Sequence, residues 1–167
     1  HRHHASMSSV GSWREKYLLE RNALYTIYKN YDAGNLENFL PGAMALAIRR
    51  GILLGGDDPS SLDLAHGNVP GELPTMEISR TAAASAYALD EFVRNIGRLS
   101  AKRRALQQSR LRPDSEILRL FGDPLRPNLV EKEFESTYRD VVRAFDIKEA
   151  FVRKRRIAVM TADTVAK

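Results

Sequence analysis

The amino-acid sequence predicts a mainly α-helical protein that ends in one short β-strand. Three observations predict this fold class. Apolar side chains recur at intervals of three and four residues through most of the chain, which is the spacing of a helix with one buried face. Some of these periodic segments begin at a residue that caps helices. Clusters of glycine and proline separate the segments from one another.

The first predicted helix spans residues 12–31. It opens at Ser12, whose hydroxyl can accept a hydrogen bond from a first-turn N–H while the side chain of Glu15 reaches back. Its apolar stripe consists of Trp13, Tyr17, Leu24, Tyr28 and Tyr31. Gly34 follows this stripe, and glycine at such a position favours a helix stop.

The second predicted helix spans residues 35–54. Its buried side consists of Leu36, Phe39, Leu40, Met44, Ala47 and Ile48. Pro41 has no N–H to donate, so it predicts either a kink or a later start of the regular helix. Glycines and prolines are frequent in residues 55–74, which predicts a loop with at most a short helical turn.

The longest predicted helix spans residues 75–110 and would measure roughly 50 Å at 1.5 Å per residue. Apolar residues follow one another at steps of four and three, a pattern typical of a helix that packs along a partner. They are Ala82, Ala86, Leu89, Val93 and Ile96.

The second half of this helix is basic. Its cations are Arg94, Arg98, Lys102, Arg103, Arg104, Arg110 and Arg112. Like charges four residues apart, such as Arg94 and Arg98, destabilise an isolated helix by a few tenths of a kcal/mol. No aromatic side chains alternate with the cations to stack on bases, so we expect no nucleic-acid partner. The run is either a solvated face or a surface that contacts an anionic membrane or an acidic partner.

Two more helices and the strand complete the prediction. Pro113 and Asp114 begin a short helix that ends near Phe121. Another helix spans residues 128–146. The apolar run Ile157–Met160 is typical of a buried strand in a parallel sheet. We expect the other strands of this sheet beyond Lys167 in a longer protein. The alternative is that the run is a frayed tail or an edge strand.

The composition excludes several classes of protein. The chain has 167 residues, a formal net charge of +5 and 28% charged residues, as in an ordinary globular protein. Because it contains no cysteine, disulfide scaffolds, thiolate metal sites and cysteine nucleophiles are excluded. No apolar run approaches the ~20 residues that a transmembrane helix needs.

The candidate metal ligands are three histidines near the N-terminus: His1, His3 and His4. Neutral imidazole is a common metal ligand, but no carboxylate pair nearby completes a site, so a purification tag or a solvated tail is the alternative.

Asp57 and Asp58 are adjacent and do not converge, so we interpret them as turn residues. His66 belongs to the predicted loop. The sequence contains no phosphate-binding glycine loop and no Ser-His-Asp arrangement.

Residues 1–30, HRHHASMSSVGSWREKYLLERNALYTIYKN, resemble the end of the catalytic domain of family 2 glycosyltransferases. Members often show a histidine, a serine soon after it, and a helix with an Arg-Asn pair among aromatic and leucine residues. The matching positions are His1, Ser6, Arg21 and Asn22. The resemblance implies a bacterial GT-A enzyme that uses a nucleotide-sugar donor, a glycan or lipid-linked acceptor, and divalent manganese or magnesium.

In that family a late histidine can complete the metal site or contact the donor diphosphate, and the resemblance assigns this role to His1. His3 and His4 are alternatives, because spacing does not fix the register within HRHH. The chain lacks the Asp-x-Asp motif, the donor-binding strands and the catalytic base of the family. We therefore expect this fragment to be inactive alone, with no cofactor of its own.

The C-terminal segment RRIAVMTADTVAK resembles the first strand and loop of a family 4 glycosyltransferase, which has the GT-B fold. This implies three parts: residues 1–34 end a catalytic module, residues 35–152 form a helical extension or connector, and residues 153–167 begin a following α/β module. The implied location is cytoplasmic or peripheral to the inner membrane. The competing hypothesis is a free-standing helical interaction module that binds an acidic partner through its basic helix.

Overall fold

The computed structural model describes residues 12–56, 78–118, 120 and 132–148. These residues form six α-helices and no strand, so the mainly helical prediction is confirmed. The helices are α1 (Ser12–Asn30), α2 (Ala33–Gly55), α3 (Arg80–Arg94), α4 (Ile96–Gln108), α5 (Asp114–Leu118) and α6 (Lys132–Ala144). The predicted strand at Ile157–Met160 and most of the predicted loop of residues 55–74 lie outside the described residues.

Buried faces of α1, α2 and α3 meet in one core. On α3 this face consists of Ala84, Ser85, Ala88 and Phe92, so the predicted stripe is wrong there: Ala86 and Val93 are exposed. These three helices pack on one another, α4 continues along α1, and α6 packs on α2. Aromatic rings meet edge to face across the core, with 5.1 Å between the ring centroids of Tyr31 and Phe39 and 5.5 Å between those of Tyr28 and Phe92. Burial raises the pKa of the Tyr31 phenol above its ordinary value. The buried residues of this core cluster are Leu24, Ile27, Phe39, Ala43, Leu46, Phe92, Leu99, Phe134, Tyr138, Val142 and Ile147.

The connection between α1 and α2 is shorter than predicted. Asp32 caps α2, and its Oδ1 accepts a hydrogen bond of 2.8 Å from the Asn35 N–H. Because this cap satisfies the first turn, α2 begins at Ala33 and runs through Pro41 without a late start. Gly34 therefore lies inside the first turn of α2 and does not end α1.

The predicted single helix of residues 75–110 is wrong, because the structure divides it at Asn95. Helix α3 begins only at Arg80, after Ser79, whose hydroxyl accepts a hydrogen bond from the N–H of Ala82. Asn95 has φ −96° and ψ 5°, and its side-chain amide donates to the Glu91 carbonyl at 2.8 Å. This local hydrogen bond stabilises a backbone conformation that is not helical, so α4 starts anew at Ile96.

The C-terminal helices lie where the sequence predicts them but end earlier: α5 ends at Leu118 and not near Phe121, and α6 ends at Ala144 and not at residue 146. Helix α5 begins at Asp114, directly after Pro113, as predicted. Helix α6 ends at Ala144, and Asp146 follows with a left-handed φ of 51°. On α2, a Cβ at Gly42 would lie 3.0 Å from the Cδ1 of Ile147, which follows α6. Glycine at position 42 therefore allows the residues after α6 to pack closely on α2.

None of the described helices combines the length and the apolar character that crossing a membrane requires.

Candidate functional site

The predicted metal ligands His1, His3 and His4 lie outside the described residues. The two adjacent aspartates, Asp57 and Asp58, lie outside them as well. Across residues 12–56, 78–118 and 132–148, no three histidine, aspartate or glutamate side chains come together in a way that could hold a metal ion. The described residues instead bring together cationic groups at three places.

The first cationic group lies on α1, at the adjacent residues Arg21 and Asn22. The guanidinium of Arg21 lies 5.4 Å from the ring centroid of Tyr17 and 5.7 Å from that of Tyr25. Arg21 also donates a hydrogen bond of 3.2 Å to the Oδ1 of Asn22. The spacing of four residues puts Tyr17, Arg21 and Tyr25 in one row on the helix, so the two rings restrict where the guanidinium can point.

This row lies beside α3, and part of it is accessible. The Tyr25 hydroxyl donates a long hydrogen bond of 3.5 Å to the Glu91 carbonyl on α3. Arg21 is half-buried and Asn22 is exposed. No carboxylate in the described part of the chain pairs with Arg21. Its remaining N–H donors can therefore bind a carboxylate or a phosphate, for which the planar guanidinium is well suited.

The second cationic group is the basic run from Arg94 to Arg112. Some of its cations have partners in the described structure and others do not. Arg94 pairs with Asp90 at 2.9 Å and with Glu91 at 3.3 Å. Because Asn95 separates α3 from α4, Arg94 and Arg98 are not neighbours on one helix, and the predicted repulsion between them within a single helix is wrong.

Arg103 binds the C-terminal end of α1. It donates to the carbonyls of Tyr28 and Tyr31 at 2.5 and 2.6 Å. One turn later, the Gln107 amide lies 3.1 to 3.3 Å from the carbonyls of Lys29, Asn30 and Tyr31. Sequence reasoning missed this role, although Arg103 and Gln107 continue the buried stripe of Leu99 at steps of four residues.

Arg110 forms an ion pair with Asp114, whose side chain is only 3% exposed. The same carboxylate accepts hydrogen bonds from the backbone N–H of Asp32 at 2.7 Å and from the Asn35 amide at 2.8 Å. This buried network joins α5 to the start of α2, so Arg110 has a structural role. The sequence indicated Asp114 only as the start of a helix.

Arg98, Lys102 and Arg104 remain exposed on α4. The described residues offer none of them a hydrogen bond or an ion pair. Helix α4 contains no aspartate or glutamate between Ile96 and Gln108. Every charged side chain on its outward face is therefore a cation.

The third group lines an open hollow of about 290 Å³ beside α6. One carboxylate, that of Asp146, lies among its cations, and Arg143 lies 3.9 Å from Asp140. The hollow is therefore less cationic than the face of α4. Its lining residues are Tyr138, Arg139, Val142, Arg143, Asp146 and Lys148.

Comparison of the chain with protein families, with curated proteins and with solved structures finds no match.

Proposed function

We propose that the chain is the helical region that follows the catalytic core of a bacterial family 2 glycosyltransferase, an enzyme that uses a nucleotide-sugar donor. The observation that carries the proposal is the resemblance of residues 1–30. The geometry of α1 supports it: Leu24 and Ile27 are buried in the core, and the Arg21-Asn22 pair lies toward solvent. An Arg-Asn pair in this position can contact an acidic or phosphorylated group outside the bundle.

In this proposal the helical bundle has a supporting role and the chemistry belongs to the parent enzyme. The described residues hold no ligand cluster for Mn²⁺ or Mg²⁺. The ion is assigned to His1, with His3 and His4 as alternatives, together with the Asp-x-Asp motif of the catalytic core. The acceptor is a glycan or a lipid-linked glycan, and the parent acts in the cytoplasm or at the inner membrane.

The second candidate is a free-standing helical interaction module. The observation that favours it is the set of unpaired cations on α4, Arg98, Lys102 and Arg104. The reading frame upstream of His1 distinguishes the two candidates. An Asp-x-Asp motif within a β-rich region supports the transferase, whereas a vector-derived tag supports the module.

The first testable prediction concerns His1 in the full-length parent. His1→Ala should lower sugar transfer by roughly 10- to 100-fold and raise the Mn²⁺ concentration needed for half-maximal activity, because a lost metal ligand misplaces the donor diphosphate. The measurement is donor turnover as a function of Mn²⁺ concentration.

His66→Ala is the matched control and should behave as wild type, because His66 belongs to the predicted loop. If His3→Ala or His4→Ala has the effect instead, the register within HRHH is wrong. If all three histidine variants match wild type, the metal assignment fails. A full-length protein that transfers no sugar from any common nucleotide donor contradicts the proposed function itself.

A further inference from the structure

The outward face of α4 has cations that the fold does not use. Arg103 is the cation of α4 that binds another helix, through the carbonyls of Tyr28 and Tyr31. Arg98 and Lys102 are four residues apart, so their side chains project from the helix only about 40° apart. Arg104 projects about 120° from Arg98 and about 160° from Lys102, at the opposite edge of the exposed side of α4. No acidic residue on α4 reduces this positive charge.

Exposed large aliphatic side chains lie at the edge of this face and in the residues that follow α4. Leu106 follows Lys102 by one helical turn and is 43% exposed, and Leu111 follows the end of α4 and is 96% exposed. Farther along, Ile117 and Leu120 are 40% and 76% exposed. A cationic face next to exposed leucines is typical of a protein surface that contacts lipid headgroups with its charges and the acyl boundary with its apolar side chains.

The composition of this surface favours a lipid over other anionic partners. From Ile96 to Leu120 the sequence contains no aromatic residue. Single-stranded nucleic acids are bound largely by stacking of bases on aromatic rings, which this surface does not offer. An acidic protein could use the same arginines, so the exposed leucines, which suit the acyl boundary of a bilayer, are what favours a lipid.

The opposite face of α4 determines how deeply the helix can enter a bilayer. Leu99 is 2% exposed, and the Ser100 hydroxyl lies 2.7 Å from the hydroxyl of Tyr28 on α1. Because α4 is fixed to α1 by these contacts and by Arg103, only its outward side chains are available. The contact must therefore be peripheral.

We propose that the outward face of α4, together with Leu111, docks the chain on the surface of an anionic phospholipid bilayer. The cations bind the headgroups, and Leu106 and Leu111 reach the boundary of the acyl chains. This inference does not depend on the proposed transferase function. Each cation near an anionic leaflet raises the partition constant by about fivefold, so the three cations together raise it by roughly 100-fold.

The test is sedimentation of the full chain with vesicles of phosphatidylcholine alone and of phosphatidylcholine mixed with phosphatidylserine. We expect binding to the mixed vesicles at low salt, weaker binding at high salt, and little binding to the neutral vesicles. The triple variant Arg98→Gln, Lys102→Gln, Arg104→Gln should lose roughly 100-fold in partition constant. Its helical circular dichroism and its unfolding midpoint should match wild type, because these side chains have no partners in the described structure.

The matched control removes the same charge elsewhere: Arg14→Gln, Arg139→Gln, Arg143→Gln, three exposed arginines on α1 and α6. It should retain most of the binding. Leu111→Ser should weaken the binding that persists at high salt. The proposal is overturned if the two triple variants lose binding equally, or if neutral and anionic vesicles bind alike. It is also overturned if the α4 cations bind an acidic peptide or an RNA while no vesicle sediments the chain.

Discussion

At the scale of single residues, two glycines in helices have opposite surroundings. A Cβ at Gly51 on α2 would lie 2.6 Å from the Oγ and 2.8 Å from the Cβ of Ser85 on α3. A Cβ at Gly97 on α4 would meet nothing within 4 Å. The close packing of α2 against α3 therefore requires glycine at position 51, whereas α4 gains nothing from glycine at position 97.

We expect Gly51→Ala to lower the free energy of unfolding by about 1–3 kcal/mol, because the contact with Ser85 forces the two helices apart. Gly97→Ala should raise this free energy by up to ~1 kcal/mol, since alanine favours the helix and has space. Urea unfolding followed by circular dichroism measures both. Adding Ser85→Gly should restore part of the stability lost in Gly51→Ala. Equal changes at the two glycines would contradict the close approach of α2 and α3.

At the scale of elements, the C-terminal end of α1 is completed by α4. The last four carbonyls of a helix have no partner within that helix. Arg103 and Gln107 supply donors to the carbonyls of Tyr28, Lys29, Asn30 and Tyr31. The positive charge of Arg103 also lies at the negative end of the α1 dipole. The two helices therefore stabilise each other through this end.

We expect Arg103→Gln to lower the free energy of unfolding by about 1.5–3 kcal/mol, because hydrogen bonds from a charged donor to half-buried carbonyls are lost. Arg104→Gln is the matched control: it removes the same charge from the next residue and should change stability by no more than about 0.5 kcal/mol. Thermal or urea unfolding of the two variants measures both changes in the free energy of unfolding. If Arg104→Gln costs as much as Arg103→Gln, net charge and not helix capping accounts for the effect.

At the scale of the whole molecule, α6 is attached mainly through α2, whereas α1, α2 and α3 each contact the other two. Arg50 on α2 lies at this junction. Its guanidinium pairs with Glu20 on α1 at 2.6 Å and lies 5.4 Å from the ring centroid of Phe134 on α6. Helices with fewer neighbours open more readily than a mutually packed core. Helix α6 should therefore be the first of these elements to separate.

Native-state hydrogen exchange should detect this order. The amides of α6 should exchange through an opening of lower free energy than the amides of α1 and α3. Val142→Ala should speed exchange in α6 and leave α1 nearly unchanged, whereas Leu24→Ala should speed exchange in all helices together. Equal protection of α6 and α1 in the unmodified chain would mean that α6 belongs to the same cooperative unit.

Apolar periodicity predicted the helical class and most of the extents of α1 and α2, because burial of one face is encoded in side-chain spacing. The break at Asn95 was not predictable in this way, since it depends on one side-chain amide that shares the Glu91 carbonyl with the Asn95 backbone N–H. The spacing of Arg103 from Leu99 separates it from Arg104 in principle, but it does not reveal which carbonyls Arg103 meets. That depends on the position of α1.

The carboxylate of Asp114 has a consequence for the order of assembly. It meets the Asp32 backbone 82 residues earlier in the chain and the Asn35 side chain 79 residues earlier. Closing so long a segment has a high entropic cost unless other contacts have already brought the two ends together. Until then, the nearest partner of Asp114 is Arg110, four residues away. We therefore expect the network with α2 to form late in folding, after α1, α2 and α4 have met, and a nascent chain cannot complete it before residue 114 has been synthesised.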